Sequence, residues 1–423
     1  MIKWISDYLG TASHDRIVEE PNVRIVDVRD MVDKPGNLPA TALEKINEAV
    51  AYLKLGERVV VCCDYGISRS NAIAAGIVSR YEGVAFNEAV RKVMEAAGQK
   101  EIKIEVLAAV REALGEDRKT RNHEPSEKRI LITGGSGFIG KALVGRLTEQ
   151  EVYVPKRDEI DLVNGAVELD LCIKERNISH LVHLANPRVY TSSRAMGDSL
   201  VLLENVLIAC RQNKIKLIYL SSWEVFSGYR ANSLSAGVAL PRLPKGVYGE
   251  TKYLCELLIE QHHLQYDLEY ALLRSSPVYG VDSDKPKFIF NFINKALCNE
   301  DIITHRYLNG LPKMDLLFID DLVAALMSMI ERNVGGALNV GSGNAVSTAE
   351  VARLIVEMIG SNSAIRHRDV GEYAPNIVMD CSRASAALDW QPAVDLKEGL
   401  GKLLAGKNAA TGSPVAMRHR RRD

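Results

Sequence analysis

A cysteine and an arginine near the start of the chain have the spacing that cleavage of a phosphate ester requires. Five residues separate Cys63 from Arg69, and Ser70 follows directly. On a loop before a helix, backbone amides and the helix dipole lower the pKa of a thiol, and a guanidinium holds two phosphoryl oxygens in its plane. The pattern predicts that Cys63 attacks phosphorus and that Ser70 hydrogen-bonds the thiolate as it leaves again.

A serine, a tyrosine and a lysine further along the chain have the order of a hydride-transfer site. Tyr248 and Lys252 are four residues apart at the head of a long helical pattern, so they share one helical face. The lysine ammonium can therefore lower the pKa of the tyrosine and also reach the ribose of a nicotinamide cofactor. Ser222 follows a predicted strand, where its hydroxyl could hold a substrate oxygen.

Three glycines mark the step from a strand to a helix just before this set. The apolar, β-branched run Arg129–Thr133 predicts a strand buried on both faces, and Gly134, Gly137 and Gly140 follow it. A Cβ at these positions would block the tight turn and keep the backbone amides away from a pyrophosphate. Together with the tyrosine and lysine downstream, the turn predicts a dinucleotide held at a helix N-terminus.

The residues after the next short strand bear on which dinucleotide is bound. Lys156 and Arg157 stand where an acidic residue would favour NAD. Arg157 could receive a 2′-phosphate, so the sequence favours NADP, and NAD stays a candidate. Asp161 and Leu162 are predicted to meet the adenine edge.

Alternating strand and helix patterns position these residues. Strands are predicted over 23–28, 58–62, 129–133, 152–154, 179–184 and 216–220, and helices over 41–53 and 71–80. The first of these helices begins at a capping box formed by Thr41 and Glu44. The predicted fold class is α/β: a small α/β domain, then a Rossmann-type doubly wound parallel sheet with a smaller C-terminal substrate-binding part.

Shifts in composition divide the chain into domains. Residues 116–127 contain no apolar residue, which predicts a solvated linker. We therefore expect a first domain over 1–115, a second over 128–404, and a short, basic, disordered tail over 405–423.

The bulk composition bounds the partners and the location. The 423 residues are 47% hydrophobic and 25% charged, with a formal net charge of -1, so neither nucleic acid nor an anionic membrane is expected as a partner. No apolar run approaches the roughly 20 residues that span a bilayer. Seven scattered cysteines and an N-terminus without the apolar core of a signal peptide indicate a reducing, cytoplasmic location. No metal site is predicted.

The cysteine loop resembles the Cys-x5-Arg-Ser loop of dual-specificity protein phosphatases, and the resemblance covers about the first 115 residues. The opening Trp4–Gly10 also looks like the first strand of that family. The resemblance implies a general acid on an upstream loop, for which Asp33 is favoured and Asp30 is the alternative. One position departs from the family, because Cys62 stands where a histidine usually precedes the nucleophile.

Residues 129–404 resemble the extended short-chain dehydrogenase/reductases, the NAD-dependent epimerase/dehydratase family. Besides the glycine turn and the Tyr248 motif, the resemblance rests on the stretches 272–280, 316–322 and 388–400. It implies hydride exchange at a sugar-like carbon, with Tyr248 as acid and base, Lys252 tuning it and Ser222 assisting. The predicted cofactor contacts are Gly134, Gly137, Phe138, Ile139, Gly140, Arg157, Asp161, Leu162, Leu184, Ala185, Tyr248 and Lys252.

Several positions bear on the substrate. Glu224 matches a glutamate of sugar-nucleotide dehydratases and decarboxylases, and it is either a base or a structural carboxylate. Trp223 stands where the glucose 4,6-dehydratases carry an acid. Met314 and Asn376 stand where family members that bind nucleotide diphosphate sugars usually carry arginines, which weakens the prediction of a sugar nucleotide.

The sequence therefore predicts a bifunctional enzyme. One activity is an NAD(P)-dependent oxidoreductase, epimerase or dehydratase acting on a sugar or sugar-nucleotide-like substrate, and the other is a cysteine-dependent phosphatase acting on a phosphorylated substrate or phosphoprotein. In the alternative, the second domain is a cofactor-bound redox sensor that regulates an N-terminal phosphatase or phosphate-docking domain. Members of the resembled dehydrogenase family often dimerise through a four-helix bundle that includes the tyrosine helix, so a homodimer is also expected.

Overall fold

The computed structural model describes residues 2–17, 22–99, 102–116, 128–147, 151–187, 191–228, 234–237, 239–240, 245–283, 285–332, 334–374 and 376–411. The described residues form two compact units. One contains residues up to 129 together with 155–179 and 201–215, and the other contains 130–154, 180–200 and the residues from 216 onward. Most of the predicted linker, residues 117–127, lies outside the described residues.

A four-stranded sheet forms the centre of the first unit, in the order β1-β2-β4-β3. The last three strands in that order run parallel, and β1 pairs antiparallel with β2. β4 is buried from its second residue onward, as its continuous apolar run predicts. The elements are β1 (Lys3–Trp4), β2 (Leu9–Ser13), β3 (Val23–Asp27), α1 (Pro39–Lys54), β4 (Arg58–Cys63), α2 (Arg69–Glu82), α3 (Phe86–Ala97) and α4 (Ile104–Ala113).

Two local predictions in this unit are wrong. The helix α1 begins at Pro39 and its N-cap is Leu38, so Thr41 lies inside the helix and forms no capping box. Proline at the first helical position has a suitable φ and lacks the amide hydrogen that would be unpaired there, which explains the earlier start. Residues 4–10 do not form one strand, because β1 ends at Trp4 and β2 begins at Leu9.

The six-stranded sheet of the second unit has the order β6-β5-β7-β8-β10-β15. The strands from β5 to β15 in that order are parallel. Chain order reverses between β5 and β7, which places a topological switch point, the usual site of ligand binding, at the carboxyl ends of these two strands. The predicted α/β fold with a Rossmann-type parallel sheet is confirmed.

The elements from residue 129 onward are β5 (Arg129–Thr133), α5 (Phe138–Val144), β6 (Glu151–Tyr153), α6 (Ala166–Glu175), β7 (His180–His183), α7 (Ser193–Asn213), β8 (Lys216–Ser222), β9 (Leu234–Ser235), α8 (Val247–Tyr266), β10 (Tyr270–Ser275), β11 (Val278–Tyr279), α9 (Lys287–Leu297), β12 (Ile302–Arg306), β13 (Lys313–Asp315), β14 (Leu317–Phe318), α10 (Ile319–Glu331), β15 (Gly336–Val340), β16 (Ala345–Ser347), α11 (Thr348–Ile359), β17 (Ile365–Asp369), β18 (Met379–Asp380), α12 (Ser382–Leu388) and α13 (Leu396–Thr411). The last helix thus continues past residue 404, where the predicted tail begins, and residues 412–423 lie outside the described residues. None of the described helices is long and apolar enough to cross a bilayer.

The first unit includes parts of the chain that lie beyond the predicted linker. Val167 and Leu171 on α6 are buried in the same hydrophobic cluster as the side chains around β4. Glu105 on α4 accepts a hydrogen bond from Arg211 on α7 at 2.8 Å, and both side chains are at most 10% exposed. The limits of the two compact units therefore differ from the predicted domain limits, because residues 155–179 and 201–215 group with the N-terminal residues.

Buried carboxylates connect the short elements near the C-terminal end. Asp315 on β13 accepts hydrogen bonds from Ser342 N at 2.6 Å and Met379 N at 3.0 Å. The Asp321 carboxylate on α10 accepts from the backbone amides of residues 393 and 394 at 2.9 and 3.1 Å, and its carbonyl accepts from Trp390 Nε1 at 2.9 Å. The predicted motifs 316–322 and 388–400 are therefore in direct contact.

Candidate active sites

The glycine turn closes tightly over the carboxyl end of β5. Gly134 has φ +75°, and a Cβ there would lie 2.6 Å from Ala185 N and 2.7 Å from the carbonyl carbon of Leu184, just after β7. Gly137 is the N-cap of α5, and Gly140 is buried against the Gly134 backbone. The turn lies at the switch point of the sheet, and a side chain would fill the space over its backbone. These residues fit a dinucleotide pyrophosphate.

The other predicted cofactor contacts divide into two groups. Phe138 and Ile139 pack against the core of the second unit. Arg157, Asp161 and Leu162 belong to the first unit, where Arg157 is exposed. The Asp161 carboxylate accepts hydrogen bonds within its own turn, from the residue 163 amide at 3.2 Å and the residue 164 side chain at 2.9 Å. A cofactor role for Arg157, Asp161 and Leu162 therefore stays a prediction.

Lys252 is fixed in the interior beneath the Tyr248 ring. Its ammonium donates to the carbonyl of Leu220 at 2.8 Å and to Tyr219 Oη at 3.1 Å, and it lies 5.8 Å from the centroid of Tyr248. Burial lowers the pKa of Lys252 to about 8, although the nearby acidic group of Glu256 acts in the opposite direction. The ammonium therefore keeps a fixed position one helical turn from the tyrosine.

Ser222 and Glu224 meet the N-terminal turn of α8. Ser222 ends β8, is 5% exposed, and accepts a hydrogen bond from Glu224 N at 3.2 Å. A Cβ on Gly249 would lie 2.8 Å from the Glu224 carbonyl oxygen, so the glycine lets α8 pack directly on this turn. Burial raises the pKa of the Glu224 carboxyl, which favours a form able to donate a proton. Gly249 directly follows Tyr248, so Tyr248, Glu224 and Ser222 are grouped at the carboxyl end of β8.

Tyr219 is a site residue that the sequence reasoning missed. Its hydroxyl accepts from Lys252, and its ring stacks on His183 with centroids 5.8 Å apart. His183 Nδ1 is hydrogen-bonded to Thr133 Oγ1 at 2.7 Å, and burial lowers the pKa of His183 to about 3, so the ring is neutral. These contacts connect Lys252 with Thr133 at the end of β5. The one sequence signal that could have identified Tyr219 was a tyrosine between apolar residues of a predicted strand.

A second buried group lies behind the lysine. Glu256, one turn after Lys252, accepts from Arg274 Nη2 at 2.7 Å and from Nε at 3.1 Å, and Ser221 also hydrogen-bonds it. Both charged side chains are at most 8% exposed. A paired, fully hydrogen-bonded carboxylate of this kind fixes α8 against β8 and β10.

In the first unit, Cys63 ends β4 and faces the start of α2. Its Sγ accepts a hydrogen bond from Gly66 N at 3.2 Å and lies 3.4 Å from Ser70 Oγ. Burial raises the pKa of the Cys63 thiol, but hydrogen bonds from Ser70, Gly66 and Ile67 outweigh it, so the pKa lies below its usual value. The hydrogen bonds of the predicted loop thus favour the thiolate form of Cys63.

Arg69 brings the predicted acid loop to the cysteine loop. Its Nη1 donates to the Met31 carbonyl at 2.9 Å, and its Nε lies 3.0 Å from Asp33 Oδ2. Asp30 instead pairs with Lys45 at 3.3 Å. Of the two upstream candidates for the acid, the geometry therefore favours Asp33, which contacts the arginine of this site, over Asp30.

Cys62 stands where the phosphatase family usually has a histidine, but its thiol is neither ionised nor on the same face of β4 as Cys63. Burial, and then the negative charge of Asp27, raise the pKa of Cys62 to about 12, so this thiol stays protonated. Because alternate strand residues point to opposite faces, Cys62 lies on the face of β4 away from Cys63. Among the described residues, no group of three His, Cys, Asp or Glu side chains could hold a metal ion.

The fold and the grouping of Ser222, Tyr248 and Lys252 define the class of the second unit as a dinucleotide-binding protein of the Rossmann type. The sequence model described as "NAD dependent epimerase/dehydratase family" matches residues 130–341, half of the chain. The chain belongs to this family, and the predicted NAD(P) cofactor class agrees with that membership. The match begins at residue 130, so the phosphatase resemblance of residues 1–115 stays a prediction.

Individual relatives support the same grouping. UDP-glucuronic acid decarboxylase 1 of Xenopus tropicalis is 27% identical over 355 residues, covering 76% of this chain and 84% of the relative. A putative UDP-glucose 4-epimerase of Methanocaldococcus jannaschii is 30% identical over 302 residues, covering 65% of this chain and 97% of the relative. The UDP-glucose 4-epimerase of Thermus thermophilus in complex with NAD shares the fold, with a TM-score of 0.57, 23% identity, and coverage of 67% of this chain and 99% of that structure.

Proposed function

We propose that the second unit catalyses an NAD(P)-dependent epimerase, dehydratase or decarboxylase reaction on a sugar nucleotide or a related sugar. The observation that carries the proposal is the buried Lys252 ammonium, which two hydrogen bonds hold near the Tyr248 ring. One of these bonds goes to the carbonyl of Leu220, two residues before Ser222 on β8. The named relatives act on sugar nucleotides, which supports that substrate class.

The residues of this chain would handle the proton of a sugar hydroxyl. Ser222 holds the hydroxyl oxygen, and Tyr248 removes its proton as a phenolate that the Lys252 charge stabilises. The glycine turn would hold the pyrophosphate of a dinucleotide, whose nicotinamide ring would supply the hydride acceptor when bound. Glu224, whose pKa burial raises, is placed to move a second proton when the reaction eliminates water or epimerises a carbon.

Two positions bear on whether the substrate carries a nucleotide diphosphate. Asn376 accepts a hydrogen bond from Lys313 N at 3.2 Å, and Met314 pairs with Val346 in the β13-β16 ladder, so neither supplies a charge for a pyrophosphate. A sugar nucleotide bound here would need another cation, and a sugar without a nucleotide would not. Both belong in the substrate test.

The test measures NADP and NAD reduction, and product formation, over a panel of sugars and sugar nucleotides. We expect turnover with one substrate class and at least about a hundredfold loss in Tyr248→Phe, because the phenol acts as the acid and base. The matched variant Tyr253→Phe, one residue beyond Lys252, should keep wild-type turnover. Wild-type protein that binds a dinucleotide but turns over no substrate would instead favour the redox-sensor alternative.

We also propose a cysteine-dependent phosphatase in the first unit, supported by the lowered Cys63 pKa and the Arg69–Asp33 pair. The Cys63 thiolate attacks phosphorus while the bond to the leaving oxygen breaks, and Asp33 gives that oxygen a proton. Water then attacks the phosphocysteine, releasing inorganic phosphate and the thiolate, and the Asp33 carboxylate takes up the proton of that water. Ser70 stabilises the departing thiolate.

The phosphatase test uses an aryl phosphate and the full chain. Cys63→Ser should abolish hydrolysis, whereas Cys62→Ser should leave most of it, since Cys62 lies on the other face of β4. Equal hydrolysis by the wild type and Cys63→Ser would refute the assignment. Binding of a phosphopeptide without hydrolysis would favour a docking domain.

A further inference from the structure

Two carboxylates lie against the Arg69 guanidinium, where a phosphate would bind. Its Nη1 is committed to the Met31 carbonyl, which fixes the orientation of the guanidinium plane. Of the remaining donors, Nη2 hydrogen-bonds Asp64, the residue directly after the nucleophile, whereas Nε lies 3.0 Å from Asp33 in an ion pair without a hydrogen bond. The arginine side chain is 8% exposed, so these contacts lie at the floor of the site.

We propose that Asp64 and Asp33 hold the cysteine loop in a self-inhibited state that a phosphate group opens by displacing them from Arg69. This inference rests on the phosphatase function proposed above and specifies how its site is regulated. Asp64 is the new element, since a carboxylate beside the nucleophile places negative charge where a phosphate dianion must bind.

The charges explain why the contact acts as a gate. Asp33 and Asp64 place two negative charges around one guanidinium, and both repel a phosphate that approaches the arginine. A phosphate monoester offers two oxygens in the plane of the guanidinium, which is the bidentate arrangement that a carboxylate also uses. The ligand class is therefore an oxyanion that can replace Asp64 at Nη2 and accept a hydrogen bond from Nε, which makes none with Asp33.

The exposure of their side chains shows that both carboxylates can move away from Arg69. The Asp64 side chain is 50% exposed and that of Asp33 is 35% exposed, whereas Arg69 is enclosed. Solvent can therefore take up either carboxylate when it is displaced, and Arg69 keeps its place through Met31. After displacement Asp33 is no longer paired with Arg69, so it can take up a proton from solvent and give it to the leaving oxygen. The same movement that admits the phosphate therefore readies the acid.

Inorganic phosphate is the probe, and its dissociation constant is measured by calorimetry on the full chain, together with aryl phosphate turnover. Asp64→Asn keeps the side-chain size and removes the charge, so phosphate should bind about tenfold more tightly and turnover should rise. Asp33→Asn should also bind phosphate more tightly but should lose turnover. Asp7→Asn, at an exposed position of the same unit, should change neither quantity.

The outcomes separate this inference from the function on which it rests. Equal phosphate affinity in the wild type, Asp64→Asn and a second variant, Asp64→Ser, would overturn the gate and leave the phosphate site standing. If phosphate binds to none of these proteins, the phosphate site itself fails and the gate fails with it. Thermal unfolding of each variant verifies that the half-exposed substitutions leave the fold intact.

Discussion

At the scale of single residues, the contact between Tyr219 and Lys252 is a central feature of the proposed hydride-transfer site. The hydroxyl of Tyr219 accepts a hydrogen bond from an ammonium that burial already destabilises. An acceptor of this kind favours the charged form of the lysine and so acts against the lowering of its pKa. The protonation state of Lys252 near neutral pH therefore depends on a side chain from the neighbouring strand.

Removing that acceptor should change the pH dependence of turnover. With a pKa of about 8, Lys252 is protonated below that pH, so activity that needs the ammonium should fall as pH rises through 8. Tyr219→Phe keeps the ring against His183 and removes the acceptor, which should move this alkaline limb about one pH unit lower. Measured pH–rate profiles check it. A limb at the wild-type position in Tyr219→Phe would show that the hydroxyl does not tune the lysine.

At the scale of elements, the approach of α8 to the turn after β8 sets the geometry of the site. Gly249 is the point of closest approach, because only a residue without Cβ fits against the Glu224 backbone. The neighbouring Gly246, the N-cap of the same helix, has open space where its Cβ would lie. The two glycines are three residues apart, and only at Gly249 would a Cβ meet the Glu224 backbone.

Alanine at these two positions should therefore have opposite outcomes. Gly249→Ala forces α8 away from Glu224, which should lower turnover more than tenfold and destabilise the fold by about 1–3 kcal/mol. Gly246→Ala should change stability by less than about 1 kcal/mol and leave turnover near the wild-type value. Turnover and urea unfolding of both variants measure this. Similar effects at the two positions would contradict the packing argument.

Sequence patterns predicted the elements that carry the chemistry and several of the residues on them. The glycine turn, Ser222 and the Tyr248–Lys252 pair were accessible because their spacing reflects one turn type and one helical face. The role of Tyr219 was not accessible from the sequence, because a tyrosine in an apolar strand has the same pattern whether it contacts a lysine or fills the core. Asp64 was missed for a related reason, since a charged loop residue is usually solvated.

At the scale of the whole molecule, the limits of the compact units were the least predictable feature. Residues 155–179 and 201–215 join the N-terminal residues through contacts between positions far apart in the chain, which local composition does not record. Val167 and Leu171 contribute apolar area, and the buried Glu105–Arg211 pair adds a charged contact. The phosphatase-like residues are thus part of a unit larger than the first 115 residues.

Removal of one charge from the buried pair should destabilise this unit. Glu105→Gln removes the Glu105 charge from a buried ion pair with Arg211, a change that typically costs about 3–5 kcal/mol. Glu112→Gln, at an exposed position of the same helix α4, should cost less than about 0.5 kcal/mol. Urea unfolding, followed through aryl phosphate hydrolysis, measures both. Equal midpoints for the two variants would mean that the pair contributes no net stability.

The hydrogen bonds of Asp321 determine where the chain can be shortened. Its carboxylate and carbonyl together take up donors from Trp390 and from the amides of residues 393 and 394, some seventy positions later. A chain that stopped before Trp390 would leave a buried carboxylate with no donor, whereas one that stopped after Thr411 would keep every one of these bonds. Tags and fusions for biochemical work are therefore best attached beyond Thr411.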